Sequence, residues 1–66
     1  MARILIVDDS LAIRMILRTI LESAGHEVVA EAADGRRALI EYCKHKPDLV
    51  TLCVRIVVVQ EPEIYI

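Results

Sequence analysis

The chain has 66 residues, 56% hydrophobic, 27% charged and 3% aromatic, with a formal net charge of -2. That length holds one small domain, and a core of this size normally leans on a disulfide, a metal or a partner chain. The composition is too apolar for a disordered segment, too close to neutral for a dedicated nucleic-acid binder, and, with no Trp or Phe, offers no base-stacking platform.

Arg3–Val7 is a β-branched apolar run bounded by acids, the pattern of a strand covered on both faces. Asp8-Asp9-Ser10 ends it, and Ser10 or Asp9 can cap the helix predicted over Leu11–Ala24. In that helix Ile13, Ile16, Leu17, Ile20, Leu21 and Ala24 are expected to form one inner face, with Arg14, Arg18 and Glu22 on the outer one. Gly25 suits the helix terminus. Glu27–Ala32 reads as a second strand at or near a sheet edge. Asp34 is expected to cap a second helix, Gly35–Lys46, with Ala38, Leu39, Tyr42 and Cys43 inward, Arg37 paired to Glu41, and Pro47 as the stop. Leu49–Gln60 is strongly β-prone, carries one charge at Arg55 and lacks a turn residue, so one strand and two joined by a bend are both open. Glu61-Pro62-Glu63 breaks it before the apolar tail Ile64-Tyr65-Ile66. The order β-α-β-α-β predicts an α/β fold with a parallel sheet.

Apolar runs such as Ile56–Val59 are far too short for a membrane span, and the acids at 8 and 9 do not fit a signal peptide. No membrane or nucleic-acid partner is therefore expected. Cys43 and Cys53 have no disulfide-framework or zinc-knuckle spacing, and the cytoplasm is the expected compartment. His26 and His45 read as surface residues. No Ser-His-Asp order or other catalytic constellation is present, so the chain is not expected to be an enzyme.

Adjacent carboxylates at the carboxyl end of a parallel strand stand where α/β proteins place ligands, and Asp8 with Asp9 suits a hard cation such as Mg²⁺; the alternative is that they only cap a helix. With this motif, "ILIVDDS", "RMILRTILESAGHEVV", "EAADGRRALIEY" and "KPDLVTL" together make Arg3–Leu52 resemble the first half of the CheY-like receiver domains of response regulators. The resemblance implies a flavodoxin-like fold with strand order 2-1-3, Mg²⁺ on Asp8 and Asp9, and phosphoryl transfer from a histidine kinase to an aspartate at the end of the third strand. Position 53, where that aspartate is expected, holds Cys53. The family's later strands, with the Thr/Ser and Lys that sense the phosphoryl group, have no counterpart in residues 53–66.

These departures imply a receiver-like half domain over 1–52 and a divergent, engineered or frame-altered β-rich segment over 53–66. A thiol cannot form the acyl phosphate, and nearby carboxylates disfavour its thiolate. Phosphotransfer is thus expected to be lost, no cofactor to be required and any Mg²⁺ to be held weakly. The expected role is structural: homo-oligomerisation through Val54, Arg55, Ile56, Val57, Val58 and Val59, because an open β-prone edge pairs with another chain. Two further readings stand beside it. One is a metal-binding module using Asp8, Asp9 and Cys53; the other is a residual Mg²⁺-dependent phosphoacceptor using Asp8 and Asp9.

Overall fold

The computed structural model describes residues 1–52 and, as a strand, Arg55–Val58. In chain order the elements are β1 (Arg3–Val7), α1 (Leu11–Ser23), β2 (Glu27–Ala32), α2 (Gly35–His45), β3 (Leu49–Leu52) and β4 (Arg55–Val58). They form one sheet in the order β2-β1-β3-β4. β1 is parallel to both β2 and β3, and β4 returns antiparallel to β3.

The apolar run of β1 explains its place between two layers. Alternate side chains of a strand point to opposite faces, and both faces of β1 are apolar. Leu5 and Val7 join Ala32, Ala38 and Val50 in one buried cluster, against which Tyr42 and Leu52 pack. Ile4 and Ile6 join Val28 in a second, covered by Leu17, Leu21 and Leu49. Thus α2 lies on one face and α1 on the other, an α/β arrangement of half-flavodoxin type. Leu5 and Val50 share the α2 face, so Leu49 and Thr51 belong to the α1 face.

An irregularity in β2 decides which of its residues meet α1. The register against β1 runs Ile4 to Val28 and then Leu5 to Ala30, leaving Val29 as an extra residue. One extra residue flips every side chain after it to the opposite face. Val28 packs under α1, whereas Ala30 and Ala32 pack under α2. Glu31 is thereby turned toward α1.

That turn corrects the expected orientation of α1. Arg14 and Arg18 are not on the outer face: both pair with Glu31 of β2. Of the six residues assigned to the inner face, only Leu17 and Leu21 pack on the sheet, while Ile13, Ile16, Ile20 and Ala24 are exposed. The physical reason is that the uncharged arc of α1 is wider than the strip one sheet can cover, and the Glu31 carboxylate draws the arginine flank toward β2. The helix stops at Ser23, with Ala24 as its cap and Gly25 at φ +90°. In that left-handed region glycine carries no Cβ penalty.

The α2 assignment needs one correction. Cys43 and Leu39 are exposed, and the residues buried in α2 are Ala38 and Glu41, with Tyr42 half-buried. The Glu41 carboxylate lies 3.7 Å from Arg37 and 3.4 Å from His45, each one helical turn away, which offsets its burial. Lys46 caps the helix at φ 48°, and Pro47 follows.

The β-prone run Leu49–Gln60 contains two strands. Leu52 pairs with Arg55 and Leu49 with Val58. Two residues between strands are too few for a parallel crossover, so the chain returns antiparallel. The β3 edge is therefore covered by β4 rather than open, which corrects that expectation. Cys53, Val54 and Val59 lie outside the described residues, as does Ile64-Tyr65-Ile66. Among the described residues no helix is long and apolar enough to cross a membrane.

Candidate functional site

The site is built at the carboxyl end of β1. Ser10 caps α1: its hydroxyl accepts the Ile13 N–H at 3.3 Å. The main-chain N–H of Ser10 in turn donates to Asp8 Oδ1 at 2.8 Å. Asp34 does the same work for α2, accepting the Arg37 N–H at 2.8 Å.

Asp8 is buried and tied on three sides. Its N–H donates to the Ala32 carbonyl at 3.0 Å, extending the ladder with β2. Its carboxylate accepts from Ser10, and its carbonyl oxygen accepts from Arg14 Nη1 at 2.6 Å. Asp9 is exposed. One carboxylate is thus fixed by the fold and its neighbour faces solvent. The positive end of the α1 dipole lies beside them, so any cation held here depends on the negative charge of these two acids.

Arg14 links this corner to β2. Its Nε donates to Glu31 Oε1 at 3.0 Å, while Arg18 Nε donates to Glu31 Oε2 at 2.7 Å and Arg18 Nη1 reaches Glu22 at 3.2 Å. The hydrogen bond from Arg18 holds the Glu31 carboxyl below its ordinary range, with Arg14 adding to it and burial opposing it. The same bond raises the Arg18 guanidinium above its ordinary value. Sequence reasoning missed Arg14 as a site residue. The available signal is its spacing, since Arg14, Leu17 and Leu21 share one stripe and the leucines face the sheet.

Leu52, the last residue of β3, pairs with Val7, immediately before Asp8, so β3 ends beside the acidic pair. Cys53, the next residue in the sequence, lies outside the described residues. Among the described residues no three His, Cys, Asp or Glu side chains converge as metal ligands. Two carboxylates alone are a donor set of the right hardness for Mg²⁺ but a small one.

Neither histidine is a free surface group. His26 is half-buried, and its Nδ1 accepts the Ala2 N–H at 3.0 Å. His45 is also half-buried, beside Glu41. At the opposite end of the sheet from the acids, Asp48 accepts the Arg3 N–H at 2.9 Å and Arg3 donates to the Lys46 carbonyl at 3.1 Å, tying the start of β1 to the loop before β3.

This arrangement, two helices on opposite faces of a parallel sheet with an acidic pair where β1 meets α1, is that of a receiver domain. Residues 4–60 match the family model of the response regulator receiver domain, and the chain belongs to that family. It is similar to the chemotaxis protein CheY of Bacillus subtilis (strain 168), 54% identical over 50 residues that make up 76% of this chain and 42% of that protein. CheY of Thermotoga maritima is 50% identical over 50 residues, with the same shares. The protein-glutamate methylesterase/protein-glutamine glutaminase of Archaeoglobus fulgidus is 50% identical over 50 residues, which are 76% of this chain and 14% of that protein. The chain spans 42% of the length of the two CheY proteins it matches.

Proposed function

We propose that this chain is a receiver-fold module of two-component signalling that carries no phosphoryl group and acts by self-association. It is cytoplasmic and not an enzyme in this reading. The observation that supports it is that β3 ends at Leu52, level with Val7 and so next to Asp8, and that the next residue in the sequence is Cys53 rather than an aspartate. Receiver chemistry requires a carboxylate there to form an acyl phosphate, and a thiol supplies neither that product nor a hard oxygen ligand for Mg²⁺. Asp8 and Asp9 then keep only a weak attraction for Mg²⁺, with Asp8 held by Ser10, Ala32 and Arg14. A histidine kinase is an ancestral partner that this chain no longer takes phosphate from. The segment 53–66, with Val54, Arg55, Ile56, Val57, Val58 and Val59 at its centre, supplies the self-association.

The test is incubation with acetyl phosphate and Mg²⁺, followed by intact mass measurement. The expected spectrum shows the unmodified chain. A gain of one phosphoryl group would overturn this reading. If Asp9→Asn abolished that gain, the second reading would take its place: a Mg²⁺-dependent phosphoacceptor built on Asp8 and Asp9, favoured by the fixed geometry of Asp8. The third reading, a softer-metal site with Cys53, requires Zn²⁺ or Mn²⁺ affinity that falls on Cys53→Ala.

A further inference from the structure

We infer that His26 is a pH-sensitive latch on the start of the chain: its neutral imidazole holds Ala2 against the sheet, and its protonation releases Met1 and Ala2. The latch stands at the amino end of β1, opposite the acidic pair, and does not depend on how the chain associates.

The geometry sets the protonation state of the ring. The Ala2 main-chain N–H lies 3.0 Å from His26 Nδ1. A backbone N–H can only donate, so Nδ1 must carry a lone pair, and the neutral ring then carries its proton on Nε2. A second proton, on Nδ1, would set a donor against a donor. The hydrogen bond is then lost, and two N–H dipoles oppose each other in its place.

The chain around the contact determines which side gives way. The His26 N–H donates to the Leu21 carbonyl of α1 at 3.0 Å, and Glu27 opens β2 in register with Arg3. The ring is therefore carried by a turn fixed at both ends. Ala2 has fewer holds: its carbonyl accepts the Glu27 N–H at 2.9 Å, and it packs at the margin of the cluster of Ile4, Ile6 and Val28. From Arg3 onward the strand is tied on both sides, to β2 and, through its N–H and carbonyl, to Asp48. Release is thereby confined to Met1 and Ala2 and leaves β1 in place.

No counter-charge offsets the loss. The charged groups on the elements that meet at the ring are Arg18 and Glu22 on α1, Glu27 on β2, Arg3 on β1 with its partner Asp48, and the Met1 amino group. Glu22 is taken by Arg18 at 3.2 Å. Among the described residues no carboxylate forms an ion pair with His26. His45 is the opposite case: Glu41 stands 3.4 Å from its Nε2, so protonation there adds an ion pair. The two half-buried histidines thus respond to acid with opposite sign.

The test is NMR on the full ¹⁵N-labelled chain, with Met1 verified by intact mass. Long-range ¹H–¹⁵N correlation at about pH 8 is expected to show Nδ1 of His26 bare and Nε2 protonated. Amide exchange of Ala2 and Glu27, corrected for its intrinsic pH dependence, is expected to lose about fivefold in protection between about pH 8 and pH 5, in step with the His26 ring signals. The Ile6 amide is expected to keep its protection. His26→Asn puts a non-titrating carbonyl oxygen in reach of the Ala2 N–H and is expected to hold the protection at both pH values. His26→Phe has no acceptor and is expected to show low protection at both, and His45→Gln is expected to behave as the wild type. A proton on Nδ1 at about pH 8, equal protection at the two pH values, or a His26→Asn variant as pH-sensitive as the wild type would each overturn the inference. Loss of the pH response on His45→Gln would overturn it too, by assigning the titration to α2.

Discussion

The two halves of the sheet are built on different terms. The β2–β1 half lies between α1 and α2, and its side chains are closed off on both faces: Ile4, Leu5 and Ile6 are almost wholly inaccessible. In the β3–β4 half both helices stand farther from the strands, although Val50 of β3 is buried in the cluster with Ala38 of α2 and Leu49 packs on the α1 side. This half is held by the ladder to β1 and by the antiparallel return of β4. The first half is a finished layered core. The second adds β3 to that core through Val50 and Thr51, both buried, and ends in β4, an antiparallel strand at the sheet edge. Stability should therefore concentrate in the first half, and association at the edge of the second.

The most direct way to break that contrast is Ile6→Ala. Ile6 is 0% exposed in the strand between β2 and β3. Such a truncation costs about 2–5 kcal/mol, against a total of about 3–10 kcal/mol for a domain of this length. The variant is expected to lose its cooperative urea transition or to show it at a sharply lower midpoint. Ile13→Ala, on the outer flank of α1, is expected to change the stability by less than about 0.5 kcal/mol in dilute solution. Equal effects would mean that the outer flank of α1 contributes to stability as much as the core of β1 does.

Next in size is the arginine–glutamate corner that joins α1 to β2. Glu31→Gln leaves Arg14, already largely buried, without its counter-charge, and is expected to cost about 1–2 kcal/mol, below the range for fully buried pairs. The same corner sets a pH dependence. The Glu31 carboxyl titrates lower in the folded chain than its ordinary value of 4.5. Its contribution is therefore fully present above about pH 4.5 and is lost as the pH falls through the lower, folded value. Urea midpoints measured from pH 6 down to 3 are expected to fall less steeply in Glu31→Gln than in the wild type. Parallel curves would mean that Glu31 is not the group responsible.

Much of the covered half was legible in the residues. The β1 run had to be a doubly covered strand, Ser10 and Asp34 had the chemistry of caps, and the acids at 8 and 9 fell at a strand end where ligands bind. What could not be read was which part of a wide apolar arc the sheet would cover. The extra residue Val29 turns Glu31 to the α1 face, and Glu31 then recruits Arg14 and Arg18. Neither step leaves a mark in the periodicity of α1 itself. Cys43 was misplaced for the same kind of reason: α2 buries Glu41 in preference to it, because Arg37 and His45 stand one turn either side of the carboxylate. The return into β4 was hidden because Cys53-Val54 contains no turn residue. The candidate site was legible in its acids but not in Arg14, whose role depends on the position of β2.

The smallest effect is expected in the less covered half, and its sign is informative. Thr51 in β3 is buried, and its hydroxyl has no hydrogen-bond partner among the described residues. Its strand neighbours in register are Ile6 and Ile56. Replacing an unsatisfied hydroxyl by a methyl group removes a desolvation penalty and keeps the β-branched shape. Thr51→Val is therefore expected to be neutral or to stabilise by up to about 1 kcal/mol. Urea unfolding of this variant measures the sign. A loss of similar size would mean that the Thr51 hydroxyl has a polar partner outside the described residues, and that the burial of β3 depends on it.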